Sequence, residues 1–257
     1  MRTDISGTST EIVHQERKWI DVVACGPNGA VGFASGRNVW VATADRIVEF
    51  PHECAVEGLD FAPKGMRLAC ARYNGVSLHW VAGQGSEVGL EWDGAHTDVT
   101  FSPDGRYIVT TMAENALHGW RIDGKGGGDR HMRMSGYPAK PKSLSWSSKG
   151  KWLASSGAQA AICWPFMGKD GPMGKAPIEL GMRDESMVSV VACHPLADVV
   201  AIGYTDGTVM LVRFEGGEEV LLRRPGKGTV TTMAWDASGD RLVFGTEEGE
   251  AGLVSIQ

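Results

Sequence analysis

The chain has 257 residues, enough for one large core, and a formal net charge of −6 with acids and bases intermixed. That pattern excludes the clustered basic footprint of a nucleic-acid binder. No apolar run approaches the ~20 residues of a membrane span, and residues 1–18 lack the apolar core of a signal peptide.

Residues 1–18 read as a polar tail whose segment Thr10–His14 can form a strand. From residue 19 onward one phrase recurs six times. Its starts are Cys25-Gly-Pro-Asn-Gly29, Phe61-Ala-Pro-Lys-Gly65, Phe101-Ser-Pro-Asp-Gly105, Trp146-Ser-Ser-Lys-Gly150, Cys193-His-Pro-Leu-Ala197 and Trp235-Asp-Ala-Ser-Gly239. The first residues are 36, 40, 45, 47 and 42 apart. A period near 40 with hairpin signals inside each unit predicts a β-propeller of four-stranded antiparallel blades, six in number, over residues 19–257.

The second unit shows the logic. Gly58–Phe61 alternates, then Pro63 and Gly65 force a turn. Met66–Ala71 is the second strand. Asn74-Gly75 is a type I′ hairpin signal, because both residues accept the left-handed region. Val76–Trp80 is the third strand. Trp40, Trp80, Trp120 and Trp164 close third strands, with Val212 and Val254 in their place later. A large flat side chain at one repeated position predicts packing between sheets. Outer strands are predicted at Arg46–Phe50, Glu87–Trp92, His131–Met134, Ile178–Leu180 and Glu219–Arg223. The sixth unit has none of its own, so Thr10–His14 is the candidate that closes the ring.

Phe101–Val109 with Leu117-His-Gly-Trp120 resembles the WD40-repeat family, over about residues 19–257. The segments Glu114–Trp120, His131–Lys140 and Trp164–Pro177 are similar to a group of bacterial WD40 proteins. The resemblance implies a propeller and adds little about function; a rigid ring carrying variable loops is what suits a role in binding. The family's Trp-Asp ending is absent, since Val, Val, Arg and Pro follow the four tryptophans. Its Asp–His–Ser/Thr–Trp network is best preserved in the third unit, with His96, Thr110 or Thr111, and Trp120. Because the family commonly has seven blades, the resemblance leaves two readings open: a ring closed with six, or a seven-bladed parent missing one.

Five scattered cysteines without a C-x-x-C pair suit core thiols in a reducing cytoplasm. His52-Glu-Cys54 and Cys193-His194 lack structural-zinc spacing. His79 and His118, at matching places beside third-strand tryptophans, read as packing residues, with a metal shared between blades the lesser alternative. Asp21, Asp60 and Asp98 lie near inner strands but at different repeat positions. A calcium site in the channel, of the six-bladed lactonase type, is therefore a secondary reading. No nucleophile motif or phosphate loop is present, and Gly124–Gly128 reads as a surface excursion. Two long connections, 123–142 and 165–182, place Arg133, Tyr137, Lys140, Lys142, Phe166, Lys169, Asp170 and Lys175 before neighbouring first strands. Arg, Tyr and Phe suit an interface. The sequence predicts a non-catalytic cytoplasmic scaffold that binds protein through this patch, with no cofactor. A channel-metal hydrolase, a small-molecule-binding propeller and an envelope-associated propeller are the alternatives.

Overall fold

Several phrases turn where a polar side chain anchors them. In Phe101-Ser-Pro-Asp-Gly105 the Ser102 hydroxyl donates to Asp104 Oδ1 (2.7 Å) and accepts the Tyr107 amide (2.9 Å). Ser147 Oγ accepts the Trp152 amide (3.0 Å) and Asp236 Oδ1 that of Arg241 (3.1 Å), repeating the bond in later units. The closing residues Gly65, Gly105, Gly150 and Gly239 all have left-handed backbone, with φ between 64° and 80°. A side chain there would strain the turn.

The chain is described by a computed structural model covering all residues except 1, 4, 5, 15, 83–86, 123–126, 129, 169 and 257. Strands β1 (Arg2–Thr3) and β2 (Ser9–Thr10) pair as a short ribbon. The first blade is β3 (Val22–Cys25), β4 (Val31–Ser35), β5 (Asn38–Ala42) and β6 (Ile47–Pro51). A six-stranded sheet follows, made of β7 (Val56–Phe61), β8 (Arg67–Trp80), β9 (Val88–Phe101), β10 (Tyr107–Met112), β11 (Ala116–Arg121) and β12 (Arg130–Met134). The next blade is β13 (Leu144–Trp146), β14 (Trp152–Ser155), β15 (Ala161–Pro165) and β16 (Ile178–Leu180). After it come β17 (Val188–Cys193), β18 (Val199–Tyr204), β19 (Val209–Arg213) and β20 (Glu219–Arg223). The last sheet holds three strands, β21 (Val230–Trp235), β22 (Arg241–Thr246) and β23 (Ala251–Ser255).

This is an all-β propeller of antiparallel blades, but it has five blade sheets where the phrases predict six. The physical reason lies at Asn74-Gly75. Both residues have positive φ (62° and 133°), so β8 reverses there, and its ends meet through Val81 N and Met66 O (2.8 Å). The turn itself stays in the ladder. Tyr73 pairs with Ala95 and Gly75 with Glu91. β9 runs on from these pairs into its pairing with β10. The second and third phrases therefore share one continuous sheet.

The closing strand also departs from expectation. Thr10 pairs with Arg2, not with the last sheet. Val13 packs against Phe33, Trp40 and Ala42 of the first blade. Among the described residues, β21–β23 gains no fourth strand.

Sheets pack face to face through apolar clusters. One joins the first blade to the next sheet through Val39, Val41, Leu59, Phe61, Leu68 and Cys70. Another sets Tyr204, Ile202 and Val212 against Ala154 and Cys163. Trp40, Trp120 and Trp164 are buried, and Trp80 is half-buried against Ile108 and Trp120's cluster. Each fully buried aromatic removes ~150–250 Å² from water, which makes the repeated tryptophan a principal source of cohesion.

Candidate functional site

Polar side chains on the inner strands join neighbouring sheets. Ser143 Oγ accepts the Val191 amide (3.1 Å) and Ser145 Oγ accepts that of Cys193 (2.8 Å), tying β13 to β17. Ser189 Oγ reaches the Val230 carbonyl oxygen (2.6 Å), and Trp235 Nε1 donates to Ala192 O (3.0 Å), tying β17 to β21. These bonds hold the walls of a cleft of about 880 Å³ that spans the last three sheets.

Lys140 and Lys142 stand on one side of this cleft, with Met187, Thr231, Thr232, Met233 and Glu247 among the other lining residues. Among the described residues, neither lysine forms an ion pair. The Lys142 backbone is fixed by its amide bond to Ser156 Oγ (3.0 Å). Glu247 is occupied: its Oε1 accepts from the Thr229 amide and hydroxyl, both at 2.9 Å, and these bonds lower its pKa. Burial pushes the Cys193 thiol up to about 12, against a smaller opposing effect of its Ser145 bond. That thiol is protonated at neutral pH and is a poor nucleophile.

The predicted patch does not come together. Tyr137 and Phe166 are core residues, 7% and 3% exposed. Tyr137 Oη accepts from Trp164 Nε1 (2.6 Å) and bonds Ser155 Oγ (2.6 Å), which pulls the ring inward. Phe166 packs edge-on to Trp146 (4.6 Å) and Tyr107 (5.2 Å). Both side chains are thus withdrawn from solvent. Arg133 is exposed on β12. Asp170 is exposed and pairs with Arg130 at 2.9 Å. Lys175 Nζ donates to Gly171 O (2.8 Å) and to Met167 O, so it braces its own loop. Lys169 lies outside the described residues, as does most of the glycine-rich excursion. Lys140 and Lys142 alone of the predicted patch line the cleft. The cleft's other lining residues escaped notice because they come from three separate strands and the connections beside them and share no motif.

Of the residues read as structural, His96 is bonded at both ring nitrogens. His96 Nδ1 bonds Thr110 Oγ1 (2.7 Å), and its Nε2 bonds Trp92 O (3.0 Å). The Trp120 ring lies 5.5 Å from His96, yet its buried Nε1 has no hydrogen-bond partner among the described residues. The network is thus half made, and packing completes it.

The three inner acids serve the backbone. Asp21 Oδ2 accepts the Gly36 amide (2.8 Å), Asp60 Oδ2 that of Phe101 (2.7 Å) and Asp98 Oδ1 that of Val99 (2.9 Å). Burial raises Asp60 to about 6 and pushes Asp98 up as well. Among the described residues they form no cation-holding group. Among the described residues, the one cluster that could hold a metal is His52, Cys70 and His79, which lies apart from the cleft lining. Among the described residues, no helix is long and apolar enough to cross a membrane.

Comparison with known proteins places this geometry. The family model of the anaphase-promoting complex subunit 4 WD40 domain matches residues 191–257. A chain from the crystal structure of the mitotic checkpoint complex superposes with a TM-score of 0.78 at 13% identity, covering 98% of this chain and 82% of that one. The RRP9 WD40 repeats superpose with a TM-score of 0.65 at 20% identity, covering 87% and 72%. A search of curated proteins found none that matches. The chain has the fold of WD40-repeat propellers.

Proposed function

We propose that the protein is a non-catalytic interaction scaffold that holds a protein partner in the cleft bordered by Lys140 and Lys142. The observation that carries this reading is the pair of lysines, unpaired with any described carboxylate, beside a cleft of about 880 Å³. The cleft walls are fixed by hydrogen bonds between sheets, so a partner meets a preorganised surface and loses little to ordering. Met187 and Met233 supply adaptable apolar contact. The lysines favour an extended segment carrying acidic residues. The cleft's carboxylate is held by Thr229 and its thiol is held protonated, which supports binding over chemistry. The unpaired cysteines are in keeping with a cytoplasmic setting.

The test is Lys140→Glu with Lys142→Glu. The double variant keeps the wild-type unfolding midpoint and loses at least about tenfold in affinity for a captured partner. Unchanged affinity would remove the cleft as the seat.

A further inference from the structure

Three potential metal ligands meet where the first blade packs on the six-stranded sheet. His52 follows β6, while Cys70 and His79 belong to the two arms of the β8 hairpin. All three are buried, and their ligating atoms lie within 4.8 Å of one another. His52 Nε2 and His79 Nε2 face each other at 3.0 Å. His52 Nδ1 lies 3.0 Å from the Phe50 carbonyl oxygen, which can only accept. Nδ1 therefore carries the proton, and Nε2 presents a bare lone pair to the cluster. Anchoring of the second ring nitrogen by a backbone carbonyl is how ligating histidines are commonly oriented. His79 is held from the other side by stacking on Phe50 (4.5 Å).

The electrostatics are mixed. Burial pushes both imidazoles below their usual range, His79 to about 4 with a further push from His52. They are neutral, which is the ligating form. Burial pushes the Cys70 thiol up, so it keeps its proton until a cation arrives. Glu87, bonded by Ser77 Oγ (2.5 Å), contributes negative potential at all three groups. Arg72 opposes a cation, but its guanidinium is turned to Ser77 Oγ (2.9 Å) and Glu91 (2.6 Å). His52, Arg72, Glu87 and Glu91 line a cleft of about 650 Å³, which gives the cluster a route to solvent.

We propose that His52, Cys70 and His79 form a binding site for a zinc-class divalent ion that clamps the first blade to the six-stranded sheet. Two imidazoles and one thiolate are the donor set of borderline-soft ions. Tetrahedral coordination sets such atoms about 3.3–3.6 Å apart, so the two ring nitrogens, now at 3.0 Å, part slightly while the thiol draws in by roughly an ångström. As the ion enters, His79 transfers its ring proton from Nε2 to Nδ1 through solvent. Cys70 loses its thiol proton to bulk water, so one proton is released per ion. The histidine–histidine hydrogen bond is replaced by two metal–nitrogen bonds. A carboxylate oxygen or a water entering from the cleft completes the shell. The comparable pair His118 and His131, with nitrogens 3.1 Å apart, has no third ligand among the described residues and is not a site.

The experiment uses the full chain, stripped with chelator and dialysed against zinc and, separately, cobalt. The expected result is about one tightly held equivalent of either ion. Zinc then raises the unfolding midpoint, and cobalt gives the near-ultraviolet thiolate-to-metal band. Cys70→Ser abolishes the band and the zinc-dependent shift, whereas Cys54→Ser, at the half-buried thiol two residues after His52, retains both. Where Cys70→Ser fails to fold, His52→Asn reports the same loss. Substoichiometric metal on folded wild-type protein overturns the proposal. So does a cobalt band that survives Cys70→Ser, or one that vanishes only in Cys54→Ser.

Discussion

At the scale of single residues, burial decides which polar side chains are structural. Tyr137 looks like an interface residue in sequence because it stands in a polar connection. Its hydroxyl instead joins Trp164 and Ser155. Tyr137→Phe leaves Trp164 Nε1 and Ser155 Oγ short of a partner in the core. Removing one member of a buried hydrogen-bonded set costs about 1–3 kcal/mol. Urea unfolding should show that loss, with partner affinity unchanged. The histidines make a second prediction. Burial lowers the pKa of His118 to about 3, with smaller contributions from His131 and His96. A base with a depressed folded pKa binds its proton more readily when unfolded. Its contribution to stability is whole above pH 6.5 and falls as pH drops toward 3. The loss at pH 5 is on the order of 1–2 kcal/mol. His118→Phe should flatten the fall in unfolding free energy between pH 6.5 and 5. An unaltered slope would mean that His118 does not titrate as described.

At the scale of elements, turn chemistry made the strands legible. The expected outer strands Ile178–Leu180 and Glu219–Arg223 are observed with those bounds, and the one expected at Arg46–Phe50 runs Ile47–Pro51. Proline, Asn-Gly and alternating apolar residues act locally, so sequence reports them. The fusion of two repeats is a long-range event. It depends on Gly75 meeting Glu91 and Tyr73 meeting Ala95, and no local pattern encodes that pairing. The cluster of His52, Cys70 and His79 was equally hidden, because its members come from two sheets and their spacing matches no ligand motif. Gly75 carries the fusion. Its φ of 133° is open to glycine alone, and an added Cβ would overlap the Leu90 carbonyl oxygen. Gly75→Ala should therefore cost more than about 2 kcal/mol. Gly105→Ala, with Pro63 its nearest neighbour at 3.5 Å, should cost about 1 kcal/mol. Similar unfolding free energies for the two variants would contradict the shared sheet.

At the scale of the whole molecule, the first and last sheets differ from those between them. Val23 is 61% exposed on the first sheet, and Val243 and Leu253 are 45% and 64% exposed on the last. Their neighbours in sequence, Val22, Leu242 and Val254, turn toward the adjacent sheets instead. On the first sheet the opposite face is largely covered, because Val13 packs on Phe33 and Trp40, whereas on the last sheet Val243 and Leu253 leave it open. Contiguous exposed apolar area drives association. Sedimentation should show concentration-dependent self-association that Val243→Lys with Leu253→Lys reduces. Monomeric wild-type protein at all concentrations would contradict this.

The frame between those end sheets is what a scaffold offers, a preorganised cleft with charged side chains beside it. The most direct measurement places a photo-crosslinking residue at Thr231 on the cleft wall and, separately, at Glu179 on the exposed outer strand β16, then illuminates each in native lysate. The account predicts a discrete protein adduct from position 231, lost when Lys140→Glu and Lys142→Glu are added, and none from 179. Adducts from 179 alone, or the same adducts from both, would contradict it.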